Sequence, residues 1–187
     1  MSLNLNKWVL ALFFLFAVAC RTADFIRPEL SDSDTHPVVF LVWMNDVPAE
    51  EGVVEKLGSV FKEGGFTPVI PFFTQSFFTS GKEKQFFKAD SVTIRQLKIP
   101  APVAWLVLAQ FRHYAIENTN GKNGLYEMSC MVEIQLFEAQ SGRKVRVWKY
   151  AESGFHADFD MATQQALSNL WAHLRKKLVY DLNALFP

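Results

Sequence analysis

The sequence predicts an α+β domain, in which a mixed or antiparallel sheet of about four to five strands is packed by an N-terminal helix and a long C-terminal helix. Three observations predict this class. Residues 37–44 form a dense β-branched and aromatic run, as in a strand buried on both faces. Residues 126–138 and 143–152 alternate apolar and polar side chains and are joined by a tight turn. Residues 160–183 repeat apolar side chains at helical spacing, which predicts a long helix packed on the sheet.

The first half of the predicted domain starts with a strand and a helix. Residues 37–44 are expected to be a central strand. Asp46 is the predicted N-cap of the following helix, and Pro48 is placed in its first turn. Apolar residues at helical spacing then continue to Gly64, which is expected to end the helix. Residues 66–73 predict a short strand at an edge of the sheet, because prolines lack the amide donor that an inner strand needs.

The second half predicts three antiparallel strands before the last helix. Residues 74–97 mix turn residues with aromatic pairs and leave room for a short, irregular helix. Residues 103–117, 126–138 and 143–152 form the expected meander, with one face partly solvated. Cys130 lies in the apolar face of the middle strand, so we expect a buried, unreactive thiol.

Length and charge limit the class of protein. A chain of 187 residues, half of them hydrophobic, predicts one globular domain rather than a disordered chain. The chain has 19 basic and 19 acidic residues, so its formal net charge is zero. Because no excess of positive charge would attract a polyanion, nucleic acid is not an expected partner.

The amino-terminal segment has the features of an export signal. Residues 8–19 form an uncharged apolar run of 12 residues that follows Lys7. This run is shorter than the roughly 20 residues that a membrane-spanning helix needs, and its length matches the hydrophobic region of a signal peptide. Small residues close the run, and a cysteine follows: Ala17, Val18, Ala19, Cys20.

The end of this run resembles a bacterial lipoprotein signal, whose lipobox ends in small residues and an obligatory cysteine; Ala17 stands where leucine is commonest. The resemblance implies cleavage after Ala19, acylation of Cys20 with chains such as palmitate, and attachment to a membrane through this lipid anchor. Arg21 stands where the inner-membrane retention signal of enterobacteria has aspartate, which implies the periplasmic side of the outer membrane. Two alternatives stay open: a secretory signal cut at Ala19 that leaves Cys20 free, and an amphipathic first helix of a cytosolic protein.

The predicted organisation therefore has three parts. Residues 1–19 are the signal peptide, residues 20–36 are the lipidated cysteine and a tether, and residues 37–187 form a single periplasmic α/β domain. The tether is polar and shows no sustained period, and as a flexible coil it reaches about 20 Å.

The hairpin at residues 132–153 combines a hydrophobic strand, a Ser-Gly turn, a basic residue and a strand that carries tryptophan. It resembles the domain of a group of envelope lipoproteins: the TolB N-terminal domain, the curli-secretion lipoprotein CsgG and the penicillin-binding-protein activator LpoB. The resemblance implies a non-catalytic accessory or scaffold of an envelope protein machine, in secretion or in peptidoglycan or lipopolysaccharide assembly. The matching positions are Leu136, Glu138, Ala139, Ser141, Gly142, Val147 and Trp148.

A second resemblance leads to an alternative function. Residues 123–136 and 170–178, together with the order of the predicted elements, are similar to LptE, the lipopolysaccharide-assembly lipoprotein. This similarity implies a role in lipopolysaccharide export instead.

The sequence contains none of the common catalytic motifs, such as G-x-S-x-G, H-E-x-x-H, Walker A or G-x-G-x-x-G. We therefore expect no enzyme activity, no cofactor and no metal. The alternative is an enzyme with a divalent-metal site, because His156, Asp158 and Asp160 alternate and are suitable ligands. The favoured interpretation of these residues is a polar loop in which Asp158 or Asp160 caps the last helix.

Pairs of phenylalanines are concentrated between residues 72 and 87. Part of this set is expected in the core, but six phenylalanines around a turn-rich segment exceed what one short connection usually buries. The remainder predicts an exposed contact surface for a partner. The partner-binding candidates are Phe72, Phe73, Phe77 and Phe78.

Overall fold

The computed structural model describes residues 36–69, 91–97, 99–115 and 124–185, all of which belong to the unit Asp32–Pro187. Its elements confirm the predicted α+β class, with a mixed sheet, an early helix and a long last helix. Within the described residues, no helix combines the length and the apolar character needed to cross a bilayer. Along the chain the elements are β1 (His36–Met44), β2 (Val47–Pro48), α1 (Glu51–Glu63), β3 (Phe66–Pro68), α2 (Ser91–Arg95), β4 (Trp105–Ala115), β5 (Tyr126–Glu138), β6 (Lys144–His156) and α3 (Phe159–Asn183).

Within the described residues, the sheet consists of four long strands and two short ones. Its order is β2-β1-β4-β5-β6, and β3 also pairs with β1. β1 runs parallel to β3 and β4, whereas β4, β5 and β6 form the predicted antiparallel meander. β1 is an inner strand, as its composition predicts, and all its residues from 37 to 43 are buried. Among the described strands, β6 is last on one side of the sheet.

Helices α1 and α3 cover one face of the sheet. Alternate residues of the long strands point to this face, Cys130 of β5 among them, as the period of two predicts. The residues of α3 that pack on this face of the sheet recur at every fourth position, so one side of the helix is fully buried: Ala162, Ala166, Leu170, Leu174, Leu178 and Leu182.

A second hydrophobic cluster lies on the opposite face of the sheet. Leu41 and Trp43 of β1 and Leu108 of β4 pack there with Ile94 of α2. Next to this cluster, Gln135 of β5 is only 2% exposed. The sequence predicts that this face of the meander is partly solvated. In the structure, the part of the face nearest β4 is instead buried.

The start of α1 differs from the prediction. Asn45 and Asp46 have positive φ angles of 50° and 65° and form the two-residue turn between β1 and β2. This turn sends the chain back along β1, so Pro48 lies in β2, and the N-cap of α1 is Glu50. The predicted helix cap at Asp46 is wrong because the hairpin uses this residue: its carboxylate accepts a hydrogen bond from Gln110 at 2.7 Å.

Three other local features agree with the prediction from the sequence. Gly64 is the C-cap of α1, and β3 includes Pro68 at the side of the sheet opposite β6. In the turn between β5 and β6, Gly142 has a φ of 68°, a backbone conformation that glycine adopts readily.

Candidate functional site

Most of the site residues predicted from the sequence lie outside the described residues, and their assignments stay predictions. They are the cleavage position, the lipidated cysteine and the aromatic candidates, namely Ala19, Cys20, Phe72, Phe73, Phe77 and Phe78. The described domain contains the remaining predicted group, His156, Asp158 and Asp160, at the junction of β6 and α3.

The junction of β6 and α3 is organised by hydrogen bonds to the backbone. The Asp158 carboxylate accepts from the Met161 N–H at 2.9 Å, which makes Asp158 the N-cap of α3. The His156 Nδ1 accepts from the Asp158 N–H at 2.9 Å. Asp160 lies in the first turn of α3, where a negative charge complements the helix dipole. The predicted capping role is confirmed for Asp158.

The same residues do not converge as a set of metal ligands. The Asp158 carboxylate and the His156 Nδ1 are each engaged with backbone N–H groups of the junction. Across the part of the chain that the structure describes, no group of three or more His, Cys, Asp or Glu side chains is placed to hold a metal ion.

Large apolar side chains are exposed where β5 begins, β6 ends and α3 begins. Tyr126 is 40% exposed and Phe159 is 44% exposed, and their rings meet edge to face with centroids 5.9 Å apart. Tyr126 pairs with His156 across the β5–β6 ladder, which brings the junction and the start of β5 together. We call the pair of Tyr126 and Phe159 the end patch; Leu125 and Met161, close to them in the chain, are exposed as well. Phe155 is also exposed, but it follows Gly154 of β6, which faces α3, and therefore lies on the other face of the sheet.

The sequence around the end patch is acidic. Its two segments, residues 124–128 and 155–161, contain Glu127, Asp158 and Asp160 and no lysine or arginine. Apolar rings bordered by charge are typical of a contact surface for another protein, whose core is apolar and whose rim is polar.

The end patch lies at the end of the sheet opposite to the first described residue. β1 starts at His36. Close to this start, Val38 pairs with Trp105, which in turn pairs with Glu138 of β5. Tyr126 is at the other end of β5, about 40 Å along the strand at about 3.3 Å per residue.

Several titratable groups join α3 to β6. The Tyr150 hydroxyl donates to the Asp181 carboxylate at 3.1 Å, and burial and this bond raise the pKa of Tyr150 well above its ordinary range. His173 contacts the Glu152 carboxylate through Nδ1, and its ring lies 5.4 Å from that of Tyr150. These groups bridge helix and strand, so we assign them a structural role.

Sequence reasoning missed the end patch. Tyr126 and Phe159 are far apart in the chain, and their meeting depends on the register of β5 and β6. A signal is present in Phe159 of the segment at 155–160, "FHADFD", whose polar residues alone carry the prediction of a cap or a metal site.

The sequence matches no protein-family model, and no curated protein matches it at a significant level. Among solved structures, the hypothetical protein CT253 from Chlamydia trachomatis is similar with a TM-score of 0.55 and 12% identity, over 80% of this chain and 99% of that one. The lipoprotein GNA1162 from Neisseria meningitidis has a TM-score of 0.44 and 10% identity, over 79% of this chain and 98% of that one. The LpoB C-terminal domain from Salmonella enterica has a TM-score of 0.34 and 15% identity, over 65% and 84%. At such identities, the likeness to CT253 shows a shared fold.

Proposed function

We propose that this chain is a bacterial envelope lipoprotein, cleaved after Ala19 and lipidated at Cys20, whose domain is a non-catalytic accessory or scaffold in envelope assembly or secretion. The observation that carries the proposal is the sequence Ala17-Val18-Ala19-Cys20 directly after a short apolar run. Several acyl chains on one cysteine are sufficient for stable anchoring. The residue after the cysteine, Arg21, favours the periplasmic side of the outer membrane.

The described domain supports a binding role for the anchored protein. The end patch concentrates exposed aromatic side chains at the end of the sheet that is remote from His36, where the tether joins the domain. Exposed apolar groups gathered in one place are typical of contacts with another protein. A protein of the envelope machine would bury Tyr126 and Phe159 and would place basic residues near Asp158 and Asp160.

Anchoring is tested with the full chain, including its leader, expressed in a Gram-negative host. We expect an intact mass that lacks residues 1–19 and contains the acyl groups, and partition into the detergent phase. Cys20→Ser should move the protein to the aqueous phase. Cys130→Ala is the matched control, because it removes the other cysteine and should partition like the parent. An unmodified chain that begins at Met1 would disprove the anchor.

The binding role is tested by cross-linking the anchored protein in native membranes. Replacing Tyr126 and Phe159 with serine should reduce the cross-linked partner and leave the melting temperature nearly unchanged, because both side chains are partly exposed. Tyr180→Ser is the control, since Tyr180 is an exposed aromatic residue of α3 outside the end patch.

The identity of the cross-linked partner distinguishes the proposed function from its two alternatives. A peptidoglycan synthase or a secretion ring would support the accessory role proposed here. A β-barrel recovered with lipopolysaccharide would support the alternative, an LptE-like role. Turnover of an envelope substrate that depends on His156 would instead support the metal-dependent enzyme.

A further inference from the structure

The charged residues of the described domain are divided unevenly between the two ends of the sheet. One end contains His36, the first residue of β1, which pairs with Phe66 of β3. Because α1 ends at Glu63 just before β3, and Arg175 of α3 pairs with Glu63, both helices finish at this end. β6 begins here, since it is antiparallel to β5, which ends here. We call it the tether end, and we call the opposite end, which contains the end patch, the remote end.

The tether end is basic. It also contains α2, because Gly142 of the β5–β6 turn lies against the Ser91 carbonyl. Within the described residues, eight basic and three acidic side chains lie at this end, an excess of five positive charges. Two of the acidic side chains are in ion pairs, and the third accepts from the Tyr150 hydroxyl. The basic residues are Lys62, Arg95, Arg143, Lys144, Arg146, Arg175, Lys176 and Lys177, and the acidic ones are Glu63, Glu138 and Asp181.

The remote end is acidic. It contains the β1–β2 turn, the starts of α1 and β5, and the junction of β6 and α3. Among the described residues at this end, the acidic ones are Asp46, Glu50, Glu51, Glu127, Asp158 and Asp160, and the basic one is Arg112. Arg112 is paired with Asp46 at 3.4 Å. Six acidic side chains against one basic side chain give an excess of five negative charges, about 40 Å from the tether end along β5.

The remaining charged residues do not cancel this separation. Between the two ends, the described residues contribute two lysines and three glutamates. Residues 21–187 outside the described ranges contain seven basic and seven acidic residues. Two of these basic and four of these acidic residues lie in the tether at 21–35, which lowers the positive excess at the tether end from five to three and does not reverse it. The mature chain is therefore nearly neutral but has opposite charges at its two ends.

A surface of anionic phospholipid attracts basic side chains and repels acidic ones. This interaction acts over a Debye length of about 8 Å at physiological ionic strength, so it depends on which end of the domain lies next to the surface. A tether that reaches about 20 Å holds the tether end close but does not fix the direction of the domain. Aromatic rings such as Tyr126 and Phe159 are suited to the headgroup region, but the acidic residues of their segments oppose that contact. Charge therefore selects one of the orientations that the tether allows.

The basic side chains of the tether end are suited to an extended surface rather than to one small anion. Lys62, Lys144 and Lys176 lie on three different elements, and none of them forms an ion pair with a described residue. A phospholipid membrane presents its charge over such an area, and each basic residue near it adds to the attraction.

We propose that the tether end docks on the anionic phospholipid surface of the membrane that anchors the chain, and that this contact directs the end patch away from the membrane. The inference rests on the lipid anchor of the proposed function, which brings this surface close to the tether end. It adds an orientation to that function: the strands run away from the membrane, and the end patch meets its partner about 40 Å from the tether end.

The lipid-anchored full chain in nanodiscs tests the orientation. The discs contain phosphatidylglycerol and phosphatidylcholine in equal parts, with a nitroxide on some headgroups that broadens the NMR signals of nearby amides. We expect broadening at Lys144 and Lys176 of the tether end and sharp signals at Tyr126 and Phe159. Discs of phosphatidylcholine alone should remove the difference between the two ends. Salt at about 1 M should do the same, because it shortens the Debye length to about 3 Å.

Charge reversal at matched lysines locates the contact. Lys176→Glu should lower the ratio of tether-end to remote-end broadening about fivefold or more, because one basic residue near an anionic surface changes such an equilibrium by about this factor. Lys56→Glu is the control with the same charge change on an exposed helical lysine. Lys56 lies in the middle of α1, away from the surface, so its reversal should keep the ratio within about twofold. If Lys176→Glu does not fold, Lys144→Gln takes its place.

Four results with the acylated protein would overturn the proposal. One is equal broadening at both ends in the anionic discs, and another is an unchanged ratio in the folded Lys176→Glu variant. The third is the strongest broadening at Tyr126 and Phe159, which would place the end patch in the membrane. The fourth is a loss of the preference with inorganic phosphate but not with chloride at the same ionic strength, which would assign a discrete phosphate site.

The intact mass of the same sample separates this inference from the proposed function. An acylated chain without a preferred end contradicts the docking alone. A chain without acyl groups contradicts the anchor, and the tether end is then tested by co-sedimentation with vesicles of the same phospholipids. Binding that Lys176→Glu leaves unchanged in that experiment would overturn the docking as well.

Discussion

Gly154 of β6 lies against the backbone of α3 at Ala162. A β-carbon on Gly154 would come within 2.3 Å of the Ala162 carbonyl oxygen and 2.4 Å of the Ala166 nitrogen. Because these are backbone atoms of a helix, they cannot move aside as a flexible side chain would. The absence of a side chain at Gly154 therefore allows the start of α3 to approach the sheet.

Gly154→Ala should lower the free energy of unfolding by roughly 1–3 kcal/mol, because strand and helix must separate to make room. Chemical denaturation measures this change. Gly52→Ala is the matched control: Gly52 lies in α1 with no atom within 4 Å of an added β-carbon, so the substitution should be neutral or slightly stabilising. Equal stability of the two variants would contradict the close approach.

The Cys130 thiol should be unreactive in the native protein. Its side chain is 3% exposed, and desolvation raises the pKa of the thiol to about 11, so thiolate is scarce at neutral pH. In a Cys20→Ser background, Cys130 is the remaining cysteine, and we expect maleimide labelling only after denaturant is added. Native labelling as fast as that of the unfolded chain would show that Cys130 is accessible.

The long elements could be predicted because local pattern and tertiary role agree. In β5 the apolar face holds Met128, Cys130 and Val132, and all three are buried under the helices. The failures have a different cause. Asp46 has the chemistry of a helix cap, but a left-handed backbone at two successive residues places it in a hairpin, and a cap pattern carries no information on that turn.

The candidate site could be predicted only where it depends on neighbours in the chain. The cap made by Asp158 is local, and the sequence predicts it. The contact of Tyr126 with Phe159 depends on the register of β5 and β6 and on where α3 begins. Such relations arise from tertiary packing, and the periodicity of a single segment carries no information on that packing.

The pair of Glu138 and Arg143 in the β5–β6 turn should make stability depend on pH. Hydrogen bonds from Arg143 and then Ser141 lower the pKa of Glu138 from 4.5 to about 2. A carboxyl with a lowered folded pKa stabilises the fold above its unfolded pKa, and this contribution disappears as the pH falls through the folded value. The stabilisation should therefore be complete above pH 4.5 and be lost towards pH 2.

Carbon-detected NMR titration of the Glu138 carboxyl measures this pKa. Arg143→Gln should return the pKa most of the way to its ordinary value, and Ser141→Ala should raise it less, because Arg143 is the larger cause. The stability difference between the parent and Arg143→Gln should vanish at the acid end of the range. A pKa that does not respond to Arg143→Gln would show that the ion pair is not formed in solution.

Asp158→Ala should lower the free energy of unfolding by about 1 kcal/mol, because the Met161 N–H loses its acceptor at the start of α3. Asp160→Ala is the control within the same turn: it removes a carboxylate that favours the helix dipole but makes no cap, so its effect should be smaller. Calorimetric titration of the parent with calcium, magnesium and zinc should give no micromolar binding. A metal bound in that range, and lost with Asp160→Ala, would mean that the junction is a ligand site in addition to a cap.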